Sequence, residues 1–187
     1  MGGINIHHKD EGAILFLGRE LFRMIVDSKK NYQEIKFICI GTDRIIGDSF
    51  GPFVGSLIKK DIKNRYQIFG DLECNVNALN VERINEENKK DSLIIAIDAA
   101  TTRNIGSIGN ISISSESLRP GSGVGKEISP VGDISIRGII GLNRTGLSFD
   151  LNLISLNMVY EMAQIASSSI YYALKQYESY NPALLQY

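Results

Sequence analysis

At 187 residues the chain has the length of one domain, and 43% hydrophobic with 22% charged residues suits a packed core rather than extended disorder. The 20 Lys and Arg against 21 Asp and Glu leave a net charge of -1. The basic pairs Lys29-Lys30, Lys59-Lys60 and Lys89-Lys90 stand far apart near expected helix ends, so no cationic face for nucleic acid or an anionic membrane is expected. Residues 1–9 lack the apolar core of a signal peptide and are expected to be disordered or tag-like. No apolar run reaches the length of a membrane span. A cytoplasmic location is the resulting expectation.

In chain order, Ile14, Leu15, Leu17, Leu21, Phe22, Ile25 and Val26 predict a helix over 10–29, with Asp10 as its N-cap. Residues 35–40 form an apolar run stopped by Gly41, the pattern of a buried strand, and residues 42–49 read as a polar loop. Pro52, Val54, Leu57 and Ile58 predict a helix entered through proline in its first turn. A short strand is expected over 66–69 and a charged surface helix over 80–90. Residues 93–97 are the clearest buried strand, ending on Asp98. The alternation in 111–113 and 134–137 predicts later strands with a wetter face, antiparallel at an edge.

A long helix over 151–177, with Ile154, Met158, Met162, Ala166, Ile170 and Leu174 on one stripe, must dock on the sheet, followed by a frayed tail at 178–187. Strands separated by helices imply βαβ crossovers, hence one α/β domain over 1–187 with a largely parallel central sheet.

Two familiar motifs fail on their own chemistry. Gly121-Ser122-Gly123-Val124-Gly125-Lys126 has Pro120 where a phosphate-binding P-loop needs its first glycine, and Glu127 where it needs Ser or Thr. Gly47-Asp48-Ser49 has the look of an esterase nucleophile block, but the histidines are His7 and His8 at the N-terminus, leaving no evident base for Ser49. Cys39 lies in an apolar run and Cys74 stands alone, so neither a disulfide framework nor a thiolate metal site is indicated. No cofactor is called for.

What remains is a pair of aspartates at matching places in two βα units. Asp48 lies between a strand end and a helix start, where the dipole favours its ionised form. Asp98 follows five apolar residues, where desolvation raises its pKa. Parallel strands would bring both to the edge of the sheet where α/β proteins bind ligands. Two carboxylates in one cleft can share a proton and act as base and acid toward a peptide carbonyl. On chemistry alone the plainer alternative is that Asp48 caps a helix and Asp98 ends a strand.

Three blocks together resemble the YyaC-type family of sporulation proteins. They are Ile40-Gly41-Thr42-Asp43-Arg44 through Gly47-Asp48-Ser49-Phe50-Gly51-Pro52; Ala96-Ile97-Asp98-Ala99; and Leu118-Arg119-Pro120-Gly121-Ser122-Gly123-Val124-Gly125-Lys126 through Pro130-Val131-Gly132-Asp133-Ile134-Ser135-Ile136. That family is similar to the spore germination protease and, more remotely, to hydrogenase maturation peptidases. The resemblance implies a three-layer αβα, phosphorylase/hydrolase-like fold, an endospore-forming source and a protein substrate, such as a small acid-soluble spore protein, inside the sporulating cell or spore. It matches Asp48 and Asp98 to the suspected catalytic pair of the germination protease.

Asp43, Arg44, Ser122, Lys126 and Asp133 are the accompanying candidates for substrate binding. Asn77 stands where a histidine would be expected in this family, and no internal histidine is present for nickel binding. Two other readings stay open at this point: a non-catalytic sporulation protein that binds a partner through the Gly-rich 119–133 segment, and a hydrolase in which Asp48, Asp98 and Asp71 hold a divalent metal through oxygen alone.

Overall fold

A computed structural model describes residues 3–62, 65–120, 128–143 and 154–181. The elements are β1 (Ile4–His7), α1 (Ala13–Val26), β2 (Glu34–Cys39), α2 (Phe50–Ile62), β3 (Gln67–Phe69), α3 (Val81–Asn88), β4 (Ser92–Thr102), β5 (Asn110–Ser114), β6 (Ile134–Leu142) and α4 (Leu156–Tyr180). The strands form one sheet in the order β1-β5-β6-β4-β2-β3. The run β6-β4-β2-β3 is parallel, while β5 is antiparallel to β6 and β1 antiparallel to β5.

Apolar side chains on both faces of β4 account for its central place. Leu93, Ile95 and Ile97 pack into the larger core, with Leu17, Leu21 and Ile25 of α1, Phe50, Val54 and Ile58 of α2, and Met162, Ala166 and Ile170 of α4. Ile94 and Ala96 face the other way, into a smaller cluster with Ile38, Ile40, Val76, Val81, Leu118, Ile128 and Val131. Helices α1, α2 and α4 thus cover one face and α3 the other. This is the expected three-layer α/β architecture, with a thinner third layer.

Several expectations are corrected. Residues 4–7 are an ordered edge strand, with Ile4 opposite Ile113 and His7 opposite Asn110. His8 is buried, its Nδ1 2.9 Å from the Gly109 carbonyl oxygen. Asp10 does not cap α1, because Gly12 turns the chain at φ 82° and occupies the cap position. The Asp10 carboxylate instead accepts from the His7 N–H at 3.2 Å.

At the other end, α4 is capped by Ser155, whose hydroxyl accepts from Met158 N–H at 3.3 Å, and it runs on to Tyr180. Glu178, expected in a frayed tail, is only 5% exposed and takes two bonds from Arg65 at 2.8 and 2.9 Å. A buried carboxylate is held in place by such a pair rather than frayed. Residues 151–153 of the expected helix lie outside the described residues.

Strand β4 does not stop at Asp98 but continues to Thr102. Strand β6 supplies ladder partners along that whole length, with one irregularity between Ala100 and Thr101. The 134–137 alternation therefore belongs to an interior strand parallel to β4, and antiparallel pairing begins only at β5.

Candidate active site

The loop after β2 folds back on itself tightly. Gly41 has φ 134°, a conformation that favours glycine, and a Cβ there would lie 2.0 Å from the Asp48 carbonyl oxygen. That carbonyl accepts from the Thr42 N–H at 3.1 Å, closing the loop. A single 3-10 turn, Ile46–Asp48, leads into α2, and the Ser49 hydroxyl donates to the Ile46 carbonyl at 2.7 Å. Ser49 is thus occupied as a turn former.

The first turn of α2 then passes against the end of β2. A Cβ on Gly51 would sit 2.1 Å from the Ile40 carbonyl oxygen. Glycine at 41 and 51 is what lets strand, loop and helix close this tightly, and Asp48 lies inside the closure.

Asp98 arrives on the adjacent strand. Cys39 pairs with Ile97, and Ile40 N–H donates to the Ile97 carbonyl at 2.7 Å, so Asp98 lies one step beyond the last residue of β2. Asp98 is therefore level with the C-terminal end of β2, and Asp48 follows in the loop that leaves that end, on the side of the sheet at which α/β proteins bind ligands. Both are half-buried.

Their electrostatics are coupled. Burial pushes the Asp48 carboxyl up to about 6, against a smaller downward pull from the Thr42 N–H. Desolvation thus outweighs the local donors and shifts this carboxyl up rather than down, while leaving it ionised above about pH 6. Asp98 is pushed well above the ordinary carboxylate range, first by burial and then by the negative charge of Asp48. The Ala99 N–H and the Arg137 guanidinium oppose that rise without cancelling it. The site thus holds two carboxyl groups that resist being ionised together, one of them poised near neutrality.

The other candidates divide. Asp43 and Arg44 lie exposed in the same 41–49 loop as Asp48, and Asp43 accepts from the Asn75 side chain at 2.9 Å. Asp133 is set apart. It pairs with Lys30 at 2.7 Å and accepts from the Ile94 N–H at 2.9 Å, at the opposite end of the strands. It lies four residue steps before Arg137, roughly 13 Å at the rise of a strand. There it fixes the start of the β4–β6 ladder. Ser122 and Lys126 lie outside the described residues.

Asp71 is not brought to the pair either. It is 6% exposed, bonds Lys59 at 2.7 Å and accepts from the Glu73 and Cys74 N–H groups at 2.9 and 2.7 Å. Burial pushes Asp71 upward, but Lys59 and the two N–H groups hold it below the ordinary range. Among the described residues no group of three His, Cys, Asp or Glu side chains is arranged to hold a metal ion. Asn77 begins the turn before α3, accepting from the Leu79 N–H at 3.0 Å.

One neighbour of the pair escapes a reading of the sequence. Arg137 is the cross-strand partner of Asp98. Alternation in residues 134–137 places it on the face of Ser135, but only the order of strands reveals which residue it meets.

The fold is thus that of an α/β protein with a mixed central sheet, and it carries two half-buried carboxyl groups beyond the end of β2. The chain belongs to DUF1256, a protein family of unknown function whose model matches residues 5–169. It is 37% identical over 139 residues to "Uncharacterized protein YyaC" of Bacillus subtilis (strain 168), across 73% of this chain and 67% of that protein. Among solved structures it is similar to the [NiFe] hydrogenase maturation protease HycI from Thermococcus kodakarensis KOD1, with TM-score 0.45 and 20% identity over 80% of this chain and 98% of that one. No helix among the described residues is long and apolar enough to cross a membrane.

Proposed function

We propose that this protein is a peptidase that hydrolyses a protein substrate with Asp48 and Asp98 as its catalytic pair. The observation that carries the reading is the coupling at the sheet edge: the Asp48 charge reaches Asp98 and helps to keep it protonated. A carboxyl near 6 beside one raised well above the ordinary carboxylate range supplies a base and an acid at neutral pH. Asp48, ionised, takes a proton from water as the water oxygen bonds to the peptide carbonyl carbon. Asp98, protonated, gives its proton to the departing amine as the C–N bond breaks. Transfer of the proton from Asp48 to Asp98 restores the starting state.

The exposed loop residues Asp43 and Arg44 would then meet the substrate chain. The motif resemblance points to a small acid-soluble spore protein as substrate, within the sporulating cell.

The test is incubation of the purified chain with a small acid-soluble spore protein, followed by mass spectrometry of the products. Cleavage is expected near neutral pH, falling below about pH 6 as Asp48 becomes protonated. Asp48→Asn and Asp98→Asn should each lower kcat by about 10²-fold or more. Cleavage that survives both substitutions would refute the assignment.

A further inference from the structure

Arg137 rises from β6 at the register position of Asp98, with Ser112 of β5 as its other cross-strand neighbour. Strand alternation puts Ser135 and Ile139 beside it on the same face, opposite the face on which Ile134, Ile136 and Ile140 enter the larger core. It is half-buried, and the described residues give it neither a hydrogen bond nor an ion pair. Elsewhere Arg65 holds Glu178 and Lys30 holds Asp133. The anionic neighbour of Arg137 is Asp98, which feels its charge but does not close a salt bridge with it.

A half-buried guanidinium without a partner among the described residues, set beside Asp98, is suited to a negative charge that develops there during reaction. A permanently anionic ligand fits less well, because Asp48 would repel it. A peptide carbonyl oxygen fits better: it is neutral on arrival and anionic only in the tetrahedral intermediate. We propose that Arg137 is a further catalytic residue, donating to the scissile carbonyl oxygen and holding the oxyanion. The assignment rests on the peptidase reading and specifies its substrate as a main-chain amide. As water adds, the carbonyl π electrons move onto oxygen beside Arg137. They return when the C–N bond breaks and the amine takes the proton of Asp98. The guanidinium keeps all its protons throughout.

The experiment is steady-state kinetics on a small acid-soluble spore protein with the parent chain, Arg137→Gln, Arg137→Lys, Arg137→Ala and Asp98→Asn, each checked for an unchanged fold by circular dichroism. Arg137→Gln should lose about 10²- to 10³-fold in kcat with KM changed less than about threefold, the mark of a transition-state contact. Arg137→Lys should keep part of the activity, and added guanidinium at millimolar concentration should restore part of it to Arg137→Ala. A purely structural arginine would show neither the kcat-only loss nor the rescue. Activity lost in Asp98→Asn but unchanged in Arg137→Gln, or a rise in KM alone, overturns the role of Arg137 and leaves the aspartates standing. Absence of cleavage by the parent chain overturns both.

Discussion

Asp98→Asn is expected to make the protein more stable at pH 8 while lowering the proposed peptidase activity by about 10²-fold or more. The direction follows from proton linkage. Asp98 is raised well above its ordinary value by burial and by Asp48, so the folded state binds a proton that the unfolded chain has released. The stability associated with that proton is complete below the unfolded-state pKa and drains away as pH rises toward the folded one. Asparagine keeps the shape of the side chain, carries no charge and has nothing to lose. A gain on the order of 2 kcal/mol, the scale of a buried group that lacks full compensation, is expected at pH 8. That corresponds to roughly 4–8 °C in Tm for a chain of this size. The difference should shrink as pH falls toward the unfolded-state pKa of about 4, where the unfolded chain begins to take up the proton as well. Thermal melts of both chains across this range check it. A destabilised Asp98→Asn at pH 8 would mean that the carboxylate contributes to folding as an ordinary paired ion. Gain of stability with loss of function is the pattern of a site that the fold tolerates for the sake of its chemistry.

Gly41→Ala should have the largest effect of any small substitution near the site. A methyl group there would meet the Asp48 carbonyl at 2.0 Å on a backbone with φ 134°. Neither atom is free to move, since the carbonyl is itself held by the Thr42 N–H. A loss of about 3 kcal/mol or more is expected, combining backbone strain with a main-chain clash. Two other glycines separate these contributions. Gly12 has φ 82° but nothing within 4 Å of where a methyl would stand, so Gly12→Ala should cost only the conformational share, about 1–2 kcal/mol. Gly106 has neither an unusual φ nor a contact under 3.4 Å, so Gly106→Ala should be near neutral. Equal Tm values for Gly41→Ala and Gly12→Ala would show that the loop yields, and that it does not position Asp48 as described.

The parts of this architecture that sequence discloses are those fixed by local periodicity. The apolar runs of β2 and β4, the four-residue stripe of α4 and the proline near the start of α2 each announce themselves within a few residues. The meeting of Asp48 and Asp98 follows from them, because adjacent parallel strands must end at the same edge.

What sequence leaves hidden depends on pairing at a distance. The length of β4 is set by β6, some 40 residues later in the chain, so Asp98 looks like a strand end when it is a strand interior. Asp133 sits in a block that resembles a site motif, yet Lys30, 103 residues away in sequence, claims its carboxylate. The ordered N-terminal strand depends on β5 for its ladder, and Glu178 on Arg65. Arg137 becomes visible only once β6 is known to lie beside β4. The sign of the shift at Asp48 is also beyond the reach of sequence: a helix start suggests an ionised carboxylate, and only burial shows that desolvation wins.

Carboxyl ¹³C NMR titration of the parent chain and of Asp48→Asn tests the shared cleft most directly, with no need of a substrate. Asp98 should titrate far above the ordinary aspartate range in the parent, and its midpoint should fall when the Asp48 charge is removed. An Asp98 that titrates near 4, or one indifferent to Asp48→Asn, would contradict the pairing on which the catalytic proposal stands.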